Sequence, residues 1–174
     1  RLTLAFAKTE VHTTGVDVSE DMIAEAKRNA KKFNLPNTSF YTSDDQLSTL
    51  GEEKFDLINS YIVFQHINTE RGLNIFSSLV DRLNVRGIGI IQFSYSADKG
   101  KLNRAADYIR YRVPLVHQFI NILKGREWNE PLMQMNSYDL NTIYNILQNK
   151  NITNTFQQLE NHGGYLGVTI FFQK

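Results

Sequence analysis

The sequence predicts an α/β protein with a doubly wound, mostly parallel sheet, a C-terminal antiparallel strand and a helical insert. Strand-like and helix-like hydrophobic periods alternate from residue 9 onward, as they do in an open sheet covered by helices. Near the C-terminus, Asn161-His162-Gly163-Gly164 separates two extended runs, which is typical of a hairpin turn. Residues 97–135 interrupt the alternation with helical spacing and Pro114. At 174 residues, we expect residues 1–174 to form a single domain.

The first half of the chain is predicted to contain three strands. The first covers Val11 to Val18, and Ser19 is expected to cap the following helix because two acidic residues come next. Leu35-Pro36-Asn37 ends that helix, and the second strand covers Thr38 to Ser43. The third strand covers Lys54 to Phe64, and its apolar content predicts a buried central strand.

The second half of the chain continues the alternation of strands and helices, with one predicted helix before the insert and one after it. Thr69 is expected to cap a helix that closes at Arg86-Gly87, where glycine permits a left-handed end. The next strand is Ile88 to Tyr95, directly before the insert. After the insert, Ser137 is expected to cap a further helix. The two final strands are predicted over Ile152–Glu160 and Tyr165–Gln173.

Composition excludes several functional classes. With 19 basic and 18 acidic residues the formal charge is +1, which disfavours nucleic acid as a partner. No cysteine is present, so a thiolate nucleophile or a Cys-ligated metal site is excluded, and no other metal site is expected. The sequence lacks the roughly 18-residue apolar run of a membrane helix, so we expect no membrane partner and a cytoplasmic protein.

Polar residues follow three predicted strands at the edge where open α/β sheets bind ligands. These are Asp17, Asp44 and the run Asn59-Ser60-Tyr61. A carboxylate after the first strand can accept hydrogen bonds from both hydroxyls of a ribose, and Asp44 can accept one from an adenine amino group. Either carboxylate has a structural alternative, which is to interact with the positive end of the helix that follows it.

Five segments resemble, in order and spacing, the motifs of class I S-adenosylmethionine-dependent methyltransferases. The segments are Gly15 to Met22, Phe40 to Asp44, Phe55 to Ile58, Phe64 to Ile67 and the turn Leu83-Asn84-Val85-Arg86-Gly87. The resemblance implies a Rossmann-like methyltransferase fold, S-adenosylmethionine as cofactor and methyl transfer as activity. It also implies that the family's first strand and glycine-rich loop lie upstream of Arg1, so that the chain begins inside the domain.

The resemblance also implies roles for individual residues. Asp17 would hold the ribose, and Val18 and Met22 would pack near the ribose and adenine, although the position of Met22 also suits the core. Ser43 with Asp44 would reach the adenine edge. The methionine end of the cofactor would be bordered by Ser60 and Tyr61.

His66 is the best-placed candidate for a catalytic base, because it follows the third strand and imidazole is the side-chain group suited to proton abstraction near neutral pH. A structural role is the alternative for His66, and His117 and His162 are weaker candidates. The insert at 97–135, which carries Trp128 and several other aromatic and Met side chains, is interpreted either as an acceptor lid or as core.

The acceptor is expected to be a small molecule or to be linked to a glycan. Cytosine-C5 methyltransferases need a cysteine, and amino-group DNA methyltransferases usually carry an Asn/Asp-Pro-Pro-aromatic run where this chain has Asn59-Ser60-Tyr61-Ile62, so both classes are disfavoured. Two alternatives stay open. Asp17 would also serve a nicotinamide-dependent oxidoreductase, and the fold would also serve a non-catalytic binding or regulatory subunit. A homodimer is kept as the candidate assembly.

Overall fold

The computed structural model describes residues 2–97 and 135–174, so that almost all of the predicted insert lies outside the described residues. The chain divides into two compact units, the first ending at Lys54 and the second beginning at Phe55. Each unit combines parallel strands with helices, which confirms the predicted α/β class. Among the described helices, none is long and apolar enough to span a membrane.

The first unit is a two-stranded parallel sheet covered by helices. Its elements are α1 (Leu2–Ala7), β1 (Thr13–Asp17), α2 (Glu20–Lys32), β2 (Thr38–Thr42) and a short 3₁₀ helix (Ser48–Leu50). Ser19 caps α2 as predicted, because its hydroxyl accepts a hydrogen bond from the amide of Met22. Ile23 and Ala30 of α2 pack with Phe40 of β2 to form the core of this unit. Gly15 is needed beside Phe40, because a Cβ there would approach the ring to 2.9 Å.

The second unit is a four-stranded sheet in the order β3-β4-β6-β5. Its elements are β3 (Phe55–Ser60), α3 (Thr69–Asp81), β4 (Leu83–Ala97), α4 (Leu140–Asn149), β5 (Thr155–His162) and β6 (Tyr165–Gln173), with a 3₁₀ helix at Phe64–His66. β3 pairs parallel with β4, whereas β6 is antiparallel to both β4 and β5. Only β6 therefore runs in the reverse direction, which confirms the predicted mostly parallel sheet and C-terminal reversal.

This strand order places four chain positions at one edge of the second sheet. β3 and β4 end there at Ser60 and Ala97, and the β5–β6 hairpin turns there between His162 and Tyr165. The turn itself uses Gly163 and Gly164, both with positive φ. The hairpin was predicted from these glycines, and the bounds of β6 agree with the prediction.

A continuous core covers one face of the second sheet. Helices α3 and α4 contribute Phe76, Val80, Ile143 and Leu147, and β4 contributes Phe93, all of them buried. The rings of Phe76 and Phe93 meet edge to face with centroids 5.2 Å apart. The opposite face of the second sheet is therefore the one left for other contacts.

Two predicted helix ends were wrong. Helix α3 is capped by Asn68 and ends at Asp81, because Leu83 leaves the helix to pair with Phe55. The left-handed residue after it is Arg86, with φ of 68°, and not Gly87. Gly87 instead permits a close approach, because a Cβ there would lie 2.9 Å from the carbonyl oxygen of Asn84.

Two further predictions in the second unit were also wrong. The cap of α4 is Asp139 and not Ser137. β3 is shorter than predicted and half of its residues are exposed, with Ile58 as its only buried residue. The strand stops early because Ile62 adopts a left-handed conformation, and in the described chain β3 has a strand partner on one side only.

Candidate functional site

The carboxyl ends of β1 and β2 lie side by side. Asp17 is in register with Thr42, and the amide of Ser43 donates a 2.8 Å hydrogen bond to the carbonyl oxygen of Asp17. Asp17 and Ser43, two of the predicted cofactor-binding residues, are therefore neighbours across a parallel strand pair. Asp44 follows directly on the same strand end.

The carboxylate of Asp17 is held from one side. Its Oδ1 atom accepts a 2.9 Å hydrogen bond from the amide of Ser19. The side chain is exposed, and Oδ2 has no partner among the described residues, so it can accept hydrogen bonds from a ligand. Beside it, Val18 is 67% exposed and Met22 is 54% exposed. The exposure of Met22 excludes it from the core.

Asp44 is exposed, but its carboxylate already has a structural partner. Oδ1 accepts a 2.8 Å hydrogen bond from the amide of Ser48, at the start of the first 3₁₀ helix. Hydrogen bonds from the side chain and backbone of Ser48 lower the pKa of Asp44 below its usual value. The structural role that the sequence left open is therefore present, and a ligand would have to share this carboxylate.

The second unit carries the remaining predicted residues near the end of β3. Ser60 is half-buried, and Tyr61 is 43% exposed. The hydroxyl of Tyr61 donates a 3.3 Å hydrogen bond to Oε2 of Glu160. Partial burial raises the pKa of Tyr61, and the negative charge and hydrogen bond of Glu160 raise it further.

Glu160 is the centre of a polar group that the sequence analysis missed. Its Oε1 accepts a 2.7 Å hydrogen bond from Thr169, and its Oε2 lies 2.8 Å from Nε2 of His162. We call Tyr61, Glu160, His162 and Thr169 the Glu160 cluster. Burial alone would raise the pKa of Glu160, but the hydrogen bonds from Thr169, His162 and Tyr61 outweigh it and lower the pKa. The alternation of β5 places residues 160 and 162 on one face, which was the available signal.

His66 lies in the 3₁₀ helix after β3 and is half-buried. Its Nε2 is 3.1 Å from the side-chain nitrogen of Gln65, and the oxygen of that amide accepts a hydrogen bond from the hydroxyl of Ser94. One ring nitrogen of His66 is thus engaged by a buried side chain. His117 lies outside the described residues. Within 2–97 and 135–174, no three His, Asp or Glu side chains group as a metal site would require.

Comparison with known proteins supports the fold. Residues 1–87 match the family described as a methyltransferase domain. No curated protein matches the sequence significantly. Magnesium protoporphyrin IX methyltransferase from Synechocystis PCC 6803 with bound SAH is 20% identical, with a TM-score of 0.69 over 99% of this chain and 68% of that one. The same enzyme with bound SAM is 18% identical, with a TM-score of 0.65 over 99% of this chain and 64% of that one.

A second protein shares the fold over more of its own length. The SAM-dependent methyltransferase from Methanosarcina mazei is 15% identical, with a TM-score of 0.69 over 98% of this chain and 85% of that one. These TM-scores show a common fold, and the family match covers half of the chain. The chain therefore belongs to the methyltransferase domain family, and its fold is that of the class I S-adenosylmethionine-dependent methyltransferases.

Proposed function

We propose that the protein transfers a methyl group from S-adenosylmethionine to a small-molecule or glycan-linked acceptor. The observation that carries the cofactor assignment is the pairing of Asp17 with Ser43 at neighbouring strand ends. Bound S-adenosylmethionine supplies a methyl group that its positively charged sulfur makes electrophilic. The protein then has to position the acceptor and exclude water, which accounts for much of the rate in such displacements.

The residues of the first unit fit the nucleoside of this cofactor. The open oxygen of Asp17 suits a ribose hydroxyl, and Ser43 with Asp44 follows at the next strand end, where an adenine edge would lie. Val18 and Met22 are apolar side chains exposed beside Asp17, as a surface that packs on a flat base requires. Ser60 and Tyr61 at the methionine end remain predictions from the resemblance, and His66 as base remains a prediction from its position after β3.

The nature of the acceptor is supported by composition and by the known structures. A net charge of +1 offers little attraction to a nucleic acid backbone. One protein of the same fold is, by its name, a methyltransferase of magnesium protoporphyrin IX, a small molecule. From the cysteine-free sequence we also propose a cytoplasmic location, and we propose a homodimer as the assembly to test.

Calorimetric titration of the complete gene product tests the cofactor assignment. S-adenosylhomocysteine should bind, and NAD⁺ should not. Binding of NAD⁺ in preference to S-adenosylhomocysteine would restore the oxidoreductase alternative. Binding of S-adenosylhomocysteine without methyl transfer to any extract of small molecules or glycans would favour the non-catalytic subunit.

A further inference from the structure

Strand β5 is the outermost strand of the second sheet, and its outer edge has no strand partner among the described residues. Its pairing with β6 on the other side is continuous over all eight residues of the strand. A free edge of this length presents a row of backbone donors and acceptors to which another strand can pair. The exposed backbone groups and side chains of β5 therefore determine which partner fits this edge.

Alternate residues of β5 direct their backbone groups to this outer edge. The amide of Gln173 donates a 3.3 Å hydrogen bond to the carbonyl oxygen of Asn154, so residue 154 occupies a hydrogen-bonded position opposite β6. Such positions recur at every second residue, so the even-numbered residues of β5 direct their backbone groups to β6. The outward backbone groups belong to the odd-numbered residues, which are Thr155, Gln157, Leu159 and Asn161.

β5 lacks the features that usually protect an edge strand from pairing. Its eight residues include no proline and no lysine, and its register with β6 has no bulge. The carboxylate of Glu160, its one acidic residue, is engaged by Thr169 and His162. Two large apolar side chains are exposed on the strand, Phe156 at 66% and Leu159 at 67%. The edge is thus suited to pairing with another strand.

The two exposed apolar side chains lie on opposite faces of the sheet. Leu159 is in register with Val168, a core residue, and so lies on the face that the helices cover. Phe156 lies on the other face, where its ring is 5.7 Å from that of Phe171. A helix docked on one face would cover one of these side chains only. A strand added at the edge contributes side chains to both faces and can cover both.

A second copy of β5 is complementary to the first in an antiparallel register with Leu159 on the twofold axis. Leu159 then faces Leu159 of the second copy, and Phe156 faces His162 of the second copy. Residues that face each other across an antiparallel pair point to the same side of the sheet, so these are apolar and aromatic pairs in contact. Gln158 faces Glu160 of the second copy, where its amide N–H can donate to the carboxylate.

Other registers lose this complementarity of charge and polarity. With Gln158 on the axis, Phe156 would face the charged Glu160 and Leu159 would face Gln157. With Glu160 on the axis, two carboxylates would lie directly opposite each other, which destabilises a strand pair, and the lowered pKa of Glu160 keeps both ionised. An axis nearer the start of β5 sets Leu159 against a threonine. The register with Leu159 on the axis is therefore favoured.

We propose that the protein forms a homodimer in which β5 of each copy pairs antiparallel with β5 of the other, with Leu159 on the twofold axis. Residues 156–162 of both copies form the contact, and the two four-stranded sheets join into one continuous sheet. The same patch serves on both copies, as a closed twofold interface requires. This inference rests on the homodimer in the proposed function, and methyl transfer does not enter it.

Sedimentation equilibrium of the complete gene product tests the interface. The unmodified protein should be a dimer. Leu159→Lys places two ammonium groups together on the axis and should raise the dimer dissociation constant at least about tenfold. Val85→Lys is the matched control, because Val85 is an exposed apolar residue of β4 outside β5, and it should leave the dissociation constant unchanged. Because both side chains are exposed, the thermal midpoints of both variants should stay close to that of the unmodified protein.

Cysteine crosslinking tests the register. Two copies of Leu159→Cys should be joined by a short bismaleimide, and mass spectrometry should identify the peptide of residue 159 linked to itself. Thr155→Cys is the matched control, since it lies on the same edge and the same face of β5. Its two copies would be about 27 Å apart along the paired strands, so the reagent should not join them.

Three outcomes would overturn the inference. A monomeric unmodified protein would remove both the interface and the homodimer. A dimer that Leu159→Lys leaves unchanged, or equal crosslinking at positions 155 and 159, would remove this interface and leave the homodimer. Failure of the methyltransferase assignment is distinguishable, because it would appear as no binding of S-adenosylhomocysteine by a protein whose dimer still dissociates on Leu159→Lys, a result that supports the interface.

Discussion

Gly72 of α3 lies directly against the hydroxyl group of Tyr138, and a Cβ at position 72 would collide with that oxygen. Tyr138 is buried, and its hydroxyl contacts the carbonyl oxygens of Phe64 and Ile67 at 3.0 Å each. Burial raises the pKa of Tyr138 to about 12, so the phenol stays a hydrogen-bond donor at neutral pH. This contact joins the chain after the insert to the segment that follows β3.

Gly72→Ala should therefore destabilise the protein. The added methyl group displaces Tyr138 in a packed core, which costs about 1–3 kcal/mol. Urea denaturation measures the change, with Asn74→Ala on the exposed face of α3 as control. Adding Tyr138→Phe to Gly72→Ala should recover part of the loss, because the hydroxyl is the atom that the methyl group meets first. Equal stability of Gly72→Ala and Asn74→Ala would contradict the packing described.

The cap of α4 offers a second stability test. Oδ1 of Asp139 accepts a 3.0 Å hydrogen bond from the amide of Asn141, and Oδ2 accepts one from the hydroxyl of Thr142. Asp139→Ala should cost about 1 kcal/mol, the usual value of a lost cap. Ser137→Ala should change the free energy of unfolding little, although the sequence pattern predicted Ser137 as the cap. A larger loss for Ser137→Ala than for Asp139→Ala would show that the cap is misassigned.

Local signals predicted only part of the local structure, since they placed the caps of α3 and α4 at Thr69 and Ser137 and not at Asn68 and Asp139. Ser19 was identified as a cap because acidic residues follow it, and β6 because paired glycines precede it. The start of β4 could not be predicted, since Leu83 continues the apolar stripe of α3 and joins the sheet only through its pairing with Phe55. The helical periodicity of the sequence gives no information about that long-range contact.

In the candidate site, too, one part could be predicted from the local pattern and another part depends on long-range pairing. Asp17 and Ser43 follow predictable strands, so their adjacency was predictable from the parallel pairing of β1 and β2. The Glu160 cluster was not, because Tyr61 and Glu160 are 99 residues apart and meet only through the register of the whole second sheet. Without that register, Glu160 is one acidic residue on an exposed strand.

Glu160 also predicts a pH dependence. Its pKa in the folded protein is lowered, so its contribution to stability is fully present above the unfolded value of about 4.3 and is lost as the pH falls through the folded value. The thermal midpoint of the unmodified protein should thus fall more steeply between about pH 5 and pH 3 than that of Glu160→Gln. Glu52→Gln, an exposed substitution, should retain the steep fall. Parallel pH profiles for the unmodified protein and Glu160→Gln would contradict the hydrogen bonds assigned to this carboxylate.

The most direct test of the central claim is the affinity for S-adenosylhomocysteine after Asp17→Asn in the complete gene product, measured by calorimetry. The amide keeps an acceptor for Ser19 but weakens the bond to the ribose, so the dissociation constant should rise about tenfold or more. Asp21→Asn, in the first turn of α2, removes the same charge from the same helix end and should leave the affinity unchanged. Equal affinity of Asp17→Asn and the unmodified protein would contradict the account.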